Sequence, residues 1–228
     1  MEVIIKMIEE VRRIVSEKLG CSAHDLEHTF RVYNNCLRIS KDMENVDLDV
    51  LKYAALLHDI ARIEEDNDNS GKTDHALLGA EQAREILTKL GKSKEFIDKV
   101  SSAIRTHRYR NNLKPETIEG KILYDADKLD VIGIIGICRS YMIAGEYNQK
   151  IYNDTDLLEY IKTNLDGGKP NGKIKDISLH SPNIEFMTKD INIPNTMFTK
   201  NGKKIACNRI KKMQEFFDNL KDEINGND

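Results

Sequence analysis

Apolar positions recur at helical spacing over most of this chain. Residues 2–19 put Ile4, Met7, Ile8, Val11, Val15 and Leu19 on one stripe, and Gly20 ends the run. A second helix is expected over 24–41, with Phe30, Val32, Tyr33, Cys36, Leu37 and Ile39 mostly inward. Asp47 or Asp49 caps a third, which runs to about residue 63, and the polar stretch 64–72 (EEDNDNSGK) reads as a loop. Thr73 or Asp74 caps a helix over 76–90 that Gly91 stops, and another covers 93–107.

The apolar segment 121–144 (KILYDADKLDVIGIIGICRSYMIA) carries enough Ile and Val to suggest a strand. Its length and its i, i+3, i+4 spacing favour one long helix, in which Gly133 and Gly136 let a neighbour approach closely. A shorter helical pattern covers 148–168 and ends at Gly167-Gly168. Residues 169–200 hold three of the four prolines and scattered apolar residues, so they read as extended or looped, with room for short strands. An amphipathic helix over 203–224 closes the chain (Ile205, Ile210, Met213, Phe216, Phe217, Leu220). The expectation is an all-α fold, with a helical domain over 1–168 and an irregular segment plus final helix, 169–228, packing on it.

With 228 residues the chain has ample length for a core, and 39% hydrophobic with 32% charged residues is a globular balance. A net charge of -3 gives no global pull toward nucleic acid or an anionic membrane, so attraction for an anionic ligand has to be local. No apolar run reaches the ~18 residues of a membrane span, and the N-terminus lacks a signal-peptide pattern. Cys21, Cys36, Cys138 and Cys207 form no CxxC pair, which reads as reduced thiols in a cytoplasmic protein.

The chemistry lies in a doublet, His58-Asp59, set in the apolar run YAALLHDIA (53–61), which reads as a buried helix. Two adjacent ionisable residues are costly to bury there unless something pairs with them, and a cation is a common solution. On a helix their side chains diverge by about 100°, so both reach one ion only if it sits beside the helix. His28 and Asp127, from other helices, complete a His–His–Asp–Asp set. Imidazole with carboxylate, and no thiolate, suits a catalytic divalent ion better than a structural zinc site. His75 and His107 are candidates for a second ion, with the Asp59 carboxylate as bridge, and Glu64, Glu65 or Asp66 for a general base. Basic candidates for phosphate contact are Arg31, Arg62, Lys128 and Arg139, with Arg105, Arg108 and Arg110 flanking His107. His24 stands one turn before His28 as a candidate partner for it. One of Asp125 and Asp130 is expected beside the site, and His180 is expected at the surface.

The order His28, His58-Asp59, Asp127 resembles the signature of the HD superfamily of metal-dependent phosphohydrolases. Residues 23–32 (AHDLEHTFRV) are similar to its first motif, 56–60 (LLHDI) to the doublet segment, and 122–133 (ILYDADKLDVIG) to the last motif, which trails into Gly-x-x-Gly-x-x-Arg at Arg139. Residues 194–197 (PNTM) with 202–206 (GKKIA) resemble the C-terminal arm of small bacterial and archaeal members. The resemblance implies an all-α HD-domain helical bundle and a divalent metal (Mn, Fe, Co, Ni, Zn or Mg) held by His28, His58, Asp59 and Asp127. It also implies hydrolysis of a phosphate ester or anhydride, with a nucleotide as the expected substrate. Two local features bear on the branch. DHALLGA (74–80) with Thr106-His107 leans toward six ligands and two ions. Arg62 stands three residues after the doublet, where some mononuclear nucleotidases carry a catalytic Glu. The expected partner is a small phosphorylated molecule rather than a membrane or nucleic acid, with a homodimer left open. The alternative is a non-catalytic or regulatory nucleotide and metal binder on the same fold.

Overall fold

The computed structural model describes residues 9–11, 13–15, 26–108 and 113–227. Residues 9–11 and 13–15 are helical, with Val11 and Val15 buried. The remainder of the first expected helix lies outside the described residues, as do His24 and Arg110. Contacts divide the chain into two compact units between Asp127 and Lys128.

The first unit contains α1 (Leu26–Ser40), α2 (Leu48–Leu57), α3 (Arg62–Asp66), α4 (His75–Lys89), α5 (Lys94–Arg105) and most of α6 (Ile118–Leu129). Side-chain caps start three of these helices. Asp47 accepts from Asp49 N and Val50 N, Asp74 from Ala76 N and Leu77 N, and Ser93 from Phe96 N, which satisfies otherwise orphaned amides. The Glu119 carboxylate on α6 accepts from Asp47 N at 2.8 Å and so ties the start of α2 to α6. α1 packs on α2, α2 on α5, and α4 along α5. Between them Val32, Ile39, Leu51, Leu56, Leu57, Leu87, Val100 and Ile104 are essentially fully buried. Each such side chain is worth roughly 1.5–3 kcal/mol relative to exposure.

The expected third helix is not continuous. α2 ends at Leu57, residues 58–61 form a buried turn, and the chain then enters the five-residue α3, where a loop was expected. The turn is tightened by Ile60 N to Leu57 O at 3.2 Å and Arg62 N to Asp59 O at 2.9 Å. These i to i+3 bonds replace the α-helical ladder and end α2 at the doublet. Gly79 lets α4 lie against this turn: a Cβ there would sit 3.4 Å from the His58 carbonyl oxygen, and larger side chains would hold α4 away.

The second unit corrects two further expectations. The segment 121–144 is two helices, α6 and α7 (Gly133–Glu146), because the chain turns at 130–132 and Gly133 adopts φ +81°. A Cβ at Gly133 would press on the Arg209 side chain, whose guanidinium donates to Leu129 O. Apolar spacing alone runs through such a break, because α7 is as apolar in sequence as α6, although its Ile134, Ile135, Met142 and Ile143 are exposed. Residues 169–200 hold no strand; they form the helix α9 (Pro182–Thr188) and 3-10 turns at Ile177–Leu179 and Asp190–Asn195. Pro182 opens α9, where a missing amide hydrogen costs nothing.

Polar side chains organise this region. Asn164, the last residue of α8 (Leu157–Asn164), donates to Asp176 O and accepts from Asp176 N, both at 2.9 Å. His180, expected at the surface, is buried: Tyr160 Oη donates to its Nδ1 at 2.7 Å, and its Nε2 donates to Glu185 Oε2 at 2.8 Å. The closing helix is α10 (Lys200–Asn225), which packs along α7. Among the described residues no helix is long and apolar enough to cross a membrane, and Cys36, Cys138 and Cys207 are free thiols.

Candidate metal centre

Five buried side chains meet inside the first unit: His28 from α1, His58 and Asp59 from the turn after α2, His75 from the first position of α4, and His107 just past α5. Asp59 is at the middle. Its Oδ2 lies 3.5 Å from His28 Nε2 and 3.7 Å from His58 Nε2. Its Oδ1 lies 3.1 Å from His75 Nε2 and 3.4 Å from His107 Nε2. Across each pair, His58 Nε2 is 3.3 Å from His28 Nε2, and His75 Nε2 is 3.2 Å from His107 Nε2. Asp127 adjoins the first pair, with Oδ1 3.5 Å from His28 Nε2, and its side chain is partly exposed.

The partners on the far side of each ring decide which nitrogen carries hydrogen. His58 Nδ1 donates to Ala55 O at 2.8 Å, and His107 Nδ1 donates to Ile104 O at 2.6 Å, since a carbonyl only accepts. His75 Nδ1 lies 2.6 Å from Glu65 Oε2, a separation at which two lone pairs would repel, so that nitrogen donates as well. In the neutral rings the Nε2 lone pairs of His58, His75 and His107 therefore face inward, toward each other and toward the carboxylate. With the Asp59 carboxylate they make the interior rich in acceptors. Ligand atoms about 2.1 Å from one ion lie about 3.0–3.4 Å apart in octahedral or tetrahedral arrangement. The observed separations are of that order, in two groups that share Asp59: His28–His58–Asp59 and Asp59–His75–His107. These donors fit divalent cations, and the set is nitrogen and oxygen without thiolate.

The electrostatics agree. Burial opposes ionisation of Asp59, yet the imidazoles of His58, His107, His28 and His75 hold its carboxyl well below the usual range. Burial lowers His58 to about 4, so that ring is neutral at pH 7. His75 moves the other way: burial opposes its protonation, but the Asp59 and Glu65 carboxylates outweigh it.

The other sequence candidates have partners of their own. Arg62 donates to Glu65 Oε2 at 2.9 Å and pairs with Asp66 at 3.2 Å, behind His75. Arg31 on α1 lies 3.6 Å from the Glu27 carboxylate. Lys128 opens the second unit; Arg139 is on α7, paired with Asp130 at 2.5 Å. Asp125 is buried on α6. Sequence reasoning missed what Glu65 and Arg108 do. Glu65 accepts from His75, Arg62 and Arg108, the last at 2.6 Å to Oε1. Spacing hints at the Arg62–Glu65 pair, but nothing in it links Arg108, 43 residues further on.

An all-helical unit that gathers four imidazoles around one buried carboxylate defines a His/Asp protein of the divalent-metal-binding kind. The HD domain family matches residues 25–132. The chain is similar to the uncharacterized protein YpgQ of Bacillus subtilis, 33% identical over 156 residues, covering 66% of this chain and 72% of that one. It also resembles a crystal structure described as a predicted HD superfamily hydrolase from an uncultured Thermotogales bacterium, with TM-score 0.64, 30% identity, and coverage of 94% of this chain and 91% of that one. The structure of Bacillus subtilis YpgQ in complex with ADP matches with TM-score 0.70 at 25% identity, over 97% of this chain and 96% of that one. The chain belongs to the HD-domain superfamily.

Proposed function

We propose that the protein is a divalent-metal-dependent phosphohydrolase whose substrate is a nucleotide. The observation that carries the reading is Asp59, buried with each oxygen facing a pair of imidazoles. That arrangement supports two cation positions bridged by one carboxylate. The first is made by His28, His58, Asp59 and Asp127, the second by Asp59, His75 and His107. The nucleotide part of the reading is supported by the ADP complex of the similar Bacillus subtilis protein. Manganese is the ion we favour among Mn, Fe, Co, Ni, Zn and Mg.

The chemistry a divalent ion would supply in such a centre is polarisation of a phosphoryl group and acidification of water. The residues of the chain do the rest. Ala55 O and Ile104 O hold the His58 and His107 rings by their Nδ1 hydrogens, so neither ring rotates away from the centre. Asp59 stays ionised and keeps the two positions in register. Asp127 gives the first position its partly exposed edge, where substrate approaches. Arg31, in the same unit as the centre, is the proposed phosphate contact; a guanidinium binds two phosphate oxygens at once.

The test is a panel of nucleoside mono-, di- and triphosphates, cyclic nucleotides and dinucleoside polyphosphates with Mn²⁺, read for which bond breaks. The reading expects Mn²⁺-dependent turnover of at least one of these, abolished in Asp59→Asn. Tight nucleotide binding without turnover under any divalent ion overturns it in favour of a binding protein.

A further inference from the structure

The two cation positions are not supported in the same way, and the difference lies in Glu65. This residue stands on α3, six positions beyond Asp59, and three side chains hold its two oxygens. Oε2 accepts from His75 Nδ1 at 2.6 Å and from Arg62 Nη1 at 2.9 Å; Oε1 accepts from Arg108 Nη1 at 2.6 Å. Arg108 also lies 3.4 Å from Asp74 Oδ1, the carboxylate that caps α4, and His75 is the first residue of α4. The cluster thus joins α3, the segment after α5 and the start of α4 behind one imidazole.

Exposed ion pairs contribute little, but the side chains of Arg62, Glu65 and Arg108 are no more than 20% exposed, and charge-assisted bonds between partly desolvated groups hold their geometry. A carboxylate on Nδ1 fixes the tautomer of a ligating histidine and makes its Nε2 a stronger donor to a cation. The two guanidiniums keep Glu65 turned away from the centre, so it supports His75 without becoming a ligand itself. His58 and His107 have only backbone carbonyls in the corresponding place.

We propose that Glu65, clamped by Arg62 and Arg108, is a positioning residue that sets the affinity of the Asp59–His75–His107 position and leaves the His28–His58–Asp59 position untouched. This rests on the two-position reading of the centre, and not on the hydrolytic activity.

The probe is Mn²⁺ alone, titrated calorimetrically into the metal-free full chain, with electron paramagnetic resonance reporting spin coupling between neighbouring ions. Wild type is expected to take up two coupled ions. Glu65→Gln keeps the shape and removes the charge; it should weaken one ion about 10–100-fold, leave the other as in wild type, and lose the coupling at limiting Mn²⁺. Glu65→Asp, which draws the carboxylate back by one methylene, should shift the same ion in the same direction. Asp98→Asn, which breaks the Arg84 ion pair on the outer face of α5, should change neither ion.

A wild-type isotherm for Glu65→Gln overturns the proposal, and so does equal weakening of both ions. A wild-type chain that binds a single ion overturns it through the centre itself. Two coupled ions without hydrolysis of any nucleotide leave the positioning role standing and remove only the phosphohydrolase reading.

Discussion

The two halves of the centre share Asp59 but are built from different material. On one side His58 hangs from a backbone carbonyl in the last turn of α2, in a helix packed between α1 and α5. On the other, His75 leans on a charged carboxylate in a five-residue helix with no buried residue of its own. The first half inherits its geometry from the core, and the second from an electrostatic cluster near the surface. A centre divided in this way should lose its second ion well before its first when conditions or side chains change.

Removing the shared element should have the largest effect. Asp59→Asn takes the charge from both positions and leaves an amide facing four imidazoles. Mn²⁺ affinity should fall more than about 100-fold at both, beyond what loss of an outer partner does, with turnover abolished. Calorimetry that still shows one tight ion would mean the halves do not share this carboxylate.

Separating the halves comes next. His58→Gln should cost the first ion and also about 1–3 kcal/mol of stability, because it disturbs a fully buried ring and its bond to Ala55 O. His75→Gln should cost the second ion and less stability. Thermal melts of the metal-free variants, read beside their Mn²⁺ isotherms, check both; equal destabilisation would contradict the contrast.

Acidity should divide the halves more gently. The His75 pKa is raised above its usual value of 6.5, so its proton competes with a cation at higher pH than an ordinary imidazole's would. His58 is lowered to about 4 and stays open to a cation until the solution is much more acidic. Lowering the pH from 8 to 6 should therefore weaken the second ion more than the first, with a slope that approaches the limit set by one competing proton only below the raised His75 pKa. The sign also holds for the metal-free fold. A raised His75 pKa contributes stability below about 6.5 that is lost as pH rises through the raised value, whereas the depressed Asp59 pKa contributes stability above about 3.9 that is lost in stronger acid. Melting temperature against pH, with and without Mn²⁺, reads both. The smallest effect expected is at Arg31: Arg31→Gln should raise KM for a nucleotide severalfold and leave the Mn²⁺ isotherm as it is.

The candidate side chains of both halves could be named from the sequence, because His58-Asp59 is anomalous in an apolar run, with His28 before it and His75, His107 and Asp127 after it. Helix positions were readable wherever a cap and a stop flank a periodic run, as at Asp74 with Gly91. What escaped were features set by partners distant in the chain or by local hydrogen bonding. Periodicity ran through the turn after Leu57 and the break at 130–132, since buried turns are as apolar as the helices they join. His180 looked like a surface residue because Tyr160 and Glu185, which enclose it, are invisible to local pattern. Glu65 looked like one acid among several in a polar stretch, and its tie to Arg108 exists only in the folded chain.

The most direct measurement of the central claim is the metal content per chain, by elemental analysis of protein loaded with Mn²⁺ and freed of excess, for wild type and Asp59→Asn side by side. A centre bridged by Asp59 gives two ions per wild-type chain and none in the variant. One ion in wild type, or a variant that keeps its full complement, contradicts it.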